Sequence, residues 1–421
     1  MEIYKKYLIA VFIGVLLMTM DFELFLAAIP GLIPLFKFSL AEITIITDIS
    51  FLTAAIASFA FGYLADRIGR RPLFMLTTLL YSLGSFFTAL ANSLVSFILA
   101  RSVTSLGTGP DEALGFTIIA EVSPARMRGL ILAIVSIAFP LGQAIGALLV
   151  YTFVVNKIYL PYVFFIGVLP ALYLLYLRRG LPETERFKDL KNALNSIKKG
   201  STNISLKYKA DINKAILNPF VQMFNKDLRK KSIIFAIYTI VVAGSVAVTL
   251  IDLPIYYTTI KHITFVNTLA YEFISFAIAA IGYILASITG NRISRRNVLI
   301  IWNIVAFMAL LGIILSSNPL EVLAFNILFV FFLFSQWAAW PFYINEMYPT
   351  RVRATASTFG YGFQWLGNIL LPTFVSIILS ATNSWINSII AIVAFPLILM
   401  SAIVSLLPRD NPKAELEENA I

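Results

Sequence analysis

The chain has 421 residues, 59% of them hydrophobic and 13% charged, with a mean hydropathy of +0.86. That balance excludes a soluble globular domain. The absence of cysteine excludes thiol catalysis, disulfides and Cys-ligated metal, and the single histidine, His262, argues against a His-based metal site or general base. The net charge of +10 is gathered in alternate loops, a pattern of membrane topology rather than of a nucleic-acid partner.

A helix needs about 20 apolar residues to cross the hydrocarbon. Twelve runs qualify: 7–29, 41–65, 72–91, 93–120, 128–153, 158–178, 232–258, 265–290, 297–316, 320–345, 354–380 and 384–407. The strict alternation of a membrane barrel is absent, so the expected fold class is an all-α integral membrane protein of 12 transmembrane helices. Met1-Glu-Ile-Tyr-Lys-Lys6 leads into a run too long for a cleavable signal peptide. Placing the N-terminus, the even-to-odd loops and the C-terminal tail on one side gathers 28 of the 32 basic residues there, leaving Lys37, Lys157 and Lys261 opposite and Arg101 inside a span. The positive-inside rule then predicts a multi-pass cell-membrane protein with both termini cytoplasmic.

The chain divides into spans 1–6 (1–178), a basic connection (179–231), spans 7–12 (232–407) and a tail (408–421). The connection reads as a hinge lying on an anionic leaflet. The two halves repeat. Asp66-Arg-Ile-Gly-Arg-Arg71 returns as Asn291-Arg-Ile-Ser-Arg-Arg296, an offset of 225 (291 − 66). At the same offset Glu121-Val-Ser-Pro-Ala-Arg-Met-Arg128 returns as Glu346-Met-Tyr-Pro-Thr-Arg-Val-Arg353, and Leu181-Pro182 is matched by Leu407-Pro408 at an offset of 226 (407 − 181). This is a parallel duplication into two six-helix bundles, an arrangement that places substrate near the midplane between halves.

Gly62-Tyr-Leu-Ala-Asp-Arg-Ile-Gly-Arg-Arg71 resembles the loop 2–3 signature of the major facilitator superfamily. Glu121-x-x-Pro124-x-x-x-Arg128-Gly129, Pro182-Glu-Thr-Glu-Arg186 and Gln364-Trp365-x-x-Asn368 are similar to patterns of its sugar porters. There are departures. Val246-Ala247 stand where sugar porters carry a Gln-Gln pair, and Asp252 stands at their Asn position. Gly107-Thr-Gly-Pro-Asp-Glu-Ala and Met20-Asp-Phe-Glu-Leu-Phe lean toward the organic-acid and aromatic-acid symporters. The resemblance implies a non-enzymatic transporter without cofactor, working as a monomer. It moves a small polar molecule, a sugar first and an organic acid second, together with protons. An uncoupled facilitator or a nutrient receptor are the further alternatives.

Ionised groups at mid-bilayer cost roughly 2.5–3.5 kcal/mol on insertion scales and ask for a partner or a role. Asp21 and Glu23 in span 1, and Arg101, Asp111 and Glu112 in span 4, are such groups. At 1.5 Å per residue Asp21 and Arg101 both lie about 12–13 Å from the outer end of their spans, so they can meet, with Asp111 about 15 Å deeper. Protonation of a carboxylate would release an arginine that stays charged, which makes Asp21, Glu23, Arg101 and Asp111 the candidates for proton coupling. Glu272 and Asp48, near outer span ends, read as interfacial.

The substrate-binding candidates are Gln143, Asp252, Tyr256, Gln364, Trp365 and Asn368. Amides donate and accept, as hydroxyl-rich cargo requires, and an indole offers an apolar face. Gly142-x-x-x-Gly146 reads as packing alone. The resemblance makes Asp66, Arg70, Glu121, Arg128, Glu346 and Arg353 a cytoplasmic gate. Asp66 would reach the N-terminus of span 11 only with the halves closed. Since Asn291 replaces it in the second half, the gate is expected to be asymmetric.

Overall fold

A computed structural model describes residues 2–198 and 218–411, so the middle of the expected connection and the end of the tail lie outside the described residues. All twelve expected spans are helical. The first half holds α1 (Glu2–Phe36), α2 (Leu40–Ile68), α3 (Arg70–Leu90), α4 (Leu94–Val122), α5 (Ala125–Val155) and α6 (Val168–Arg179), the last entered through a 3₁₀ segment, Leu160–Gly167. Among the described residues of the connection, two short helices follow, α7 (Glu185–Lys198) and α8 (Pro219–Met223). The second half holds α9 (Arg229–Thr259), α10 (Phe265–Ile293), α11 (Arg295–Leu315), α12 (Pro319–Ser335), α13 (Trp340–Met347) and α14 (Arg353–Thr382). The last span is α15 (Trp385–Ile389), a π-helical turn, and α16 (Phe395–Val404). Span 10 is thus broken between α12 and α13, and span 12 carries the π turn.

Side chains set the helix starts. Ser39 and Glu42 form a reciprocal capping box on α2, and Ser93 caps α4. Thr264 and Asn318 accept backbone N–H groups at the starts of α10 and α12. Eleven helices of the described residues are long and apolar enough to cross a bilayer. The other span, α4, carries Arg101, Asp111, Glu112 and Glu121, and it survives in the membrane because α1, α2 and α3 pack around it and bury those residues.

The duplication is visible in packing. In the first half α1 lies on α5, α2 on α4 and α3 on α4; in the second α9 lies on α14, α10 on α12 and α11 on α12. The halves meet where α2 packs on α14 and α5 on α10. The small-residue spacing on α5 has a specific consequence. A Cβ at Gly146 would stand 2.8 Å from Glu23 Cβ and 2.9 Å from Met20 O, so the missing side chain seats α1 and fixes the level of Glu23.

The turn between α2 and α3 is the single residue Gly69, at φ +126°, where glycine is favoured. Its counterpart between α10 and α11 is Ser294, at φ +99°. There the hydroxyl donates to Asp410 Oδ1 at 2.5 Å, a contact that offsets the strained backbone.

Candidate functional site

The structure brings Asp21 and Arg101 together. Arg101 Nη1 lies 3.1 Å from Asp21 Oδ2, with both side chains 4% exposed. Ser85 of α3 donates to Asp21 Oδ1, and the guanidinium sits 4.3 Å over the Phe25 ring. A buried charge pair held by one hydroxyl and one ring is the arrangement in which adding a proton to the carboxylate has most effect on its partner.

Asp111 does not join that group. Arg178 grips it with two hydrogen bonds, Nη1 to Oδ1 at 2.5 Å and Nη2 to Oδ2 at 2.9 Å, while Thr77 donates to Oδ1 at 2.5 Å. Arg178 also donates to Phe74 O at 2.6 Å. Arg178 stands at the last position of the expected span 6, next to the basic connection. Its side chain is only 1% exposed, turned back from the end of α6 into the bundle. Glu112, one residue on, faces the other half and accepts from Tyr361 of α14 at 3.0 Å.

Glu23 points away from Arg101, as two positions along a helix require. It is buried, its Oε2 makes no hydrogen bond, and Gln143 and Glu272 are its polar neighbours. Glu272 differs from the interfacial residue expected: it is half-buried, and its Oε2 is buried without a hydrogen bond. Asp48 is half-buried.

The substrate candidates fall into separate places. Gln364 and Asn368 share a face of α14, and the side-chain oxygen of each is buried without a hydrogen bond. Gln143 is fully buried with both amide atoms unpartnered, and Asp252, 5% exposed, leaves Oδ2 unpartnered. Trp365 is engaged: its Nε1 donates to Gly109 O at 3.3 Å, and its ring packs on Phe22 and Phe51 of the first half at 5.6 and 5.8 Å. Tyr256 faces Trp385 and Lys261 near the end of α9. Its neighbour Tyr257 instead bonds Asn326 at 2.8 Å and lines a cleft with Glu272.

The face carrying the basic loops, hereafter the basic face, is closed. Arg70 pairs with Asp66 at 2.9 Å and with Glu121 at 3.2 Å, and Thr184 donates to Glu121 at 2.7 Å. Several contacts at this face cross between halves. Asp66 Oδ2 accepts from the Thr355 N–H and hydroxyl, both at 2.7 Å, at the start of α14. Arg353 comes within 4.0 Å of Glu121, and Thr117 donates to Asn345 at 3.2 Å. Helix N-termini favour carboxylates, which explains the Asp66 position. The side chain of Arg128 lies outside the described residues.

The second copy of this network differs. Arg295 pairs with Glu346 at 2.6 Å and with Asp410 at 3.2 Å, two ion pairs within the second half. Among the described residues, Asn291 accepts a long 3.4 Å contact from Arg295, also in its own half. Asp410 accepts the N–H groups of Arg295 and Arg296 at 3.1 and 3.2 Å, as Glu183 accepts that of Arg71 at 3.1 Å. Sequence reasoning missed Asp410; the acid following each repeated Leu-Pro pair was the available signal.

Two relatives and one solved structure frame this geometry. The chain is 25% identical over 376 residues to the putative niacin/nicotinamide transporter NiaP of Bacillus subtilis, covering 89% of this chain and 88% of that protein. It is 24% identical to the arabinose-proton symporter of the same organism, covering 79% and 78%. The structure of the proton:xylose symporter XylE bound to 6-bromo-6-deoxy-D-glucose superposes with a TM-score of 0.75 at 18% identity, over 99% of this chain and 98% of that one. The family model of the Major Facilitator Superfamily matches residues 11–334 and 270–420. With its duplicated six-helix halves, its latched basic face and this match along nearly its whole length, the chain is a multi-pass membrane transporter of the Major Facilitator Superfamily.

Proposed function

We propose that this secondary transporter is a proton-coupled symporter importing a small polar metabolite across the cell membrane, with the basic face cytoplasmic. The observation that carries the reading is the buried Asp21–Arg101 pair joining α1 to α4. Arg101 stays charged at any physiological pH. A proton taken by Asp21 therefore ends the ion pair, weakens the tie between the two helices and changes which arrangement of the halves is preferred. Alternating access follows from rocking of the halves, with the Asp66–Thr355 contacts as the latch that opens.

The cargo is read by amides. Gln143, Gln364 and Asn368 keep unpartnered buried acceptors, which suits a molecule with several hydrogen-bond donors, and a sugar is the first such class. The kinship with an arabinose-proton symporter supports both the sugar and the proton. An organic acid would call for a cationic partner, and the buried arginines Arg70, Arg101 and Arg178 of the first half already hold carboxylates.

The test is a substrate screen by thermal shift, followed by uptake of the stabilising compound into proton-tight proteoliposomes containing a pH dye. Symport predicts acidification of the lumen that follows uptake and collapses with a protonophore. Uptake without any change in lumenal pH would replace this reading with an uncoupled facilitator.

A further inference from the structure

One seam between the halves holds polar atoms that neither the ion pairs nor the latch uses. Glu23 of α1 is 1% exposed and Gln143 of α5 is 0% exposed. Glu23 Oε2, Glu272 Oε2 and both amide atoms of Gln143 are buried without a hydrogen bond. Gln143 lies three residues before Gly146, the residue over which Glu23 Cβ passes, so both occupy one face of α5. On that face Phe139 stacks on Tyr283 of α10, with ring centroids 6.1 Å apart. Glu272 precedes Tyr283 by eleven residues, close to three full helical turns, and returns to the same side of α10. The seam of α1, α5 and α10 therefore carries one carboxyl group from each half, within electrostatic range of one another, and an amide beside them.

No cation of the described protein reaches this pair. Arg101 is held by Asp21 and Arg178 by Asp111. Lys261 Nζ donates to Ile314 O and Ser316 O, carbonyls at and just past the end of α11. The wall next to Glu272 contains Tyr257, Tyr271 and Asn326, and Tyr257 and Asn326 satisfy each other at 2.8 Å. When ionised, two unpaired carboxyl groups repel an anion, and a neutral polyol would satisfy the amide and do nothing for such charge. A positive nitrogen compensates both and finds aromatic rings alongside.

We propose that this seam selects the cargo by charge, holding a substrate with a cationic nitrogen, of ammonium, guanidinium or pyridinium type, between Glu23 and Glu272. Gln143 binds a neighbouring polar group of the same molecule. The inference rests on the transport reading above and narrows its cargo to a polar molecule with a basic or quaternary nitrogen. Because each half supplies one carboxyl group, the bound cation also draws the halves together around it.

The experiment uses the full chain in detergent at pH 7 with probes matched in shape and differing in charge. D-glucosamine is set against D-glucose, 1-methylnicotinamide against nicotinamide and nicotinate, with choline and agmatine beside them. In at least one pair the cationic member is expected to bind at least tenfold tighter than its neutral counterpart. Glu272→Gln, near-isosteric, is expected to abolish that preference, whereas Glu272→Asp, which keeps the charge, retains it and serves as the folded reference. A chain that binds no cationic probe, prefers the neutral or anionic member of each pair, or keeps its cation preference in both Glu272→Gln and Glu23→Gln overturns the proposal. In that case the two carboxyl groups share a proton and nothing more. Gradient-driven uptake of a neutral probe would leave the transport reading standing without the cation site. Cation binding without gradient-driven uptake would do the reverse.

Discussion

Asp21 and Asp111 are both buried carboxylates facing an arginine, and their surroundings give them different work. Asp111 receives both arms of Arg178 and the Thr77 hydroxyl, a closed set that ties α6 to α3 and α4. Removing one member of such a buried pair costs about 3–5 kcal/mol, because the other charge is left uncompensated. Asp111→Asn is therefore expected to lower thermal stability sharply, and the double variant with Arg178→Met to recover part of the loss; differential scanning fluorimetry checks both. A melting point for Asp111→Asn equal to that of the parent would remove the structural role. Which acid met which arginine was legible for Asp21, because the rise per residue puts it level with Arg101. It was not legible for Arg178, which stands at the border of an apolar run and could as well have joined the loop. Glu272 was misread for a related reason: distance from a span end says nothing about which side of the helix faces the other half.

At the scale of elements, two turns and one close approach position the site. Gly69 lets α2 turn directly into α3, and a Cβ there would also strike the Glu183 carboxylate. Gly69→Ala is expected to destabilise the protein by about 1–3 kcal/mol, the usual cost of a strained non-glycine backbone, seen as a lower melting temperature. Gly146→Val should push α1 off α5 and displace Glu23, with loss of cargo binding in protein that still reaches the membrane; retained binding would show that α1 can shift without disturbing the seam. Helix number and order were legible because a bilayer fixes length and the loops alternate in charge. The breaks in spans 10 and 12 were less legible: each stands just before a proline, Pro341 and Pro396, yet Pro140 and Pro372 lie inside unbroken helices.

The whole molecule is a duplicated structure whose copies have diverged at the latch. Asp66 crosses to Thr355 of the other half, whereas the contact from Arg295 to Asn291 at the repeated position stays within its own half. The loss of one carboxylate was readable in the repeat, and its consequence needed the partner, Thr355, which no spacing along the chain reveals. Asp66→Asn is expected to shift the protein toward a state open on the basic face. Because the chain lacks cysteine, spin labels placed at Ile68→Cys and Leu406→Cys, one exposed position in each half, can follow it. The inter-label distance distribution should gain a longer component in Asp66→Asn and not in Asn291→Ala.

The central claim, that a proton on Asp21 drives uphill movement, is tested most directly by comparing Asp21→Asn with the parent in the same proteoliposomes. Two quantities are measured with the cargo found by the screen: accumulation against its gradient under an imposed proton gradient, and exchange at equilibrium without one. The account predicts that the variant loses accumulation and keeps exchange, because alternating access remains and only the coupled proton site is gone. Accumulation equal to that of the parent would contradict it.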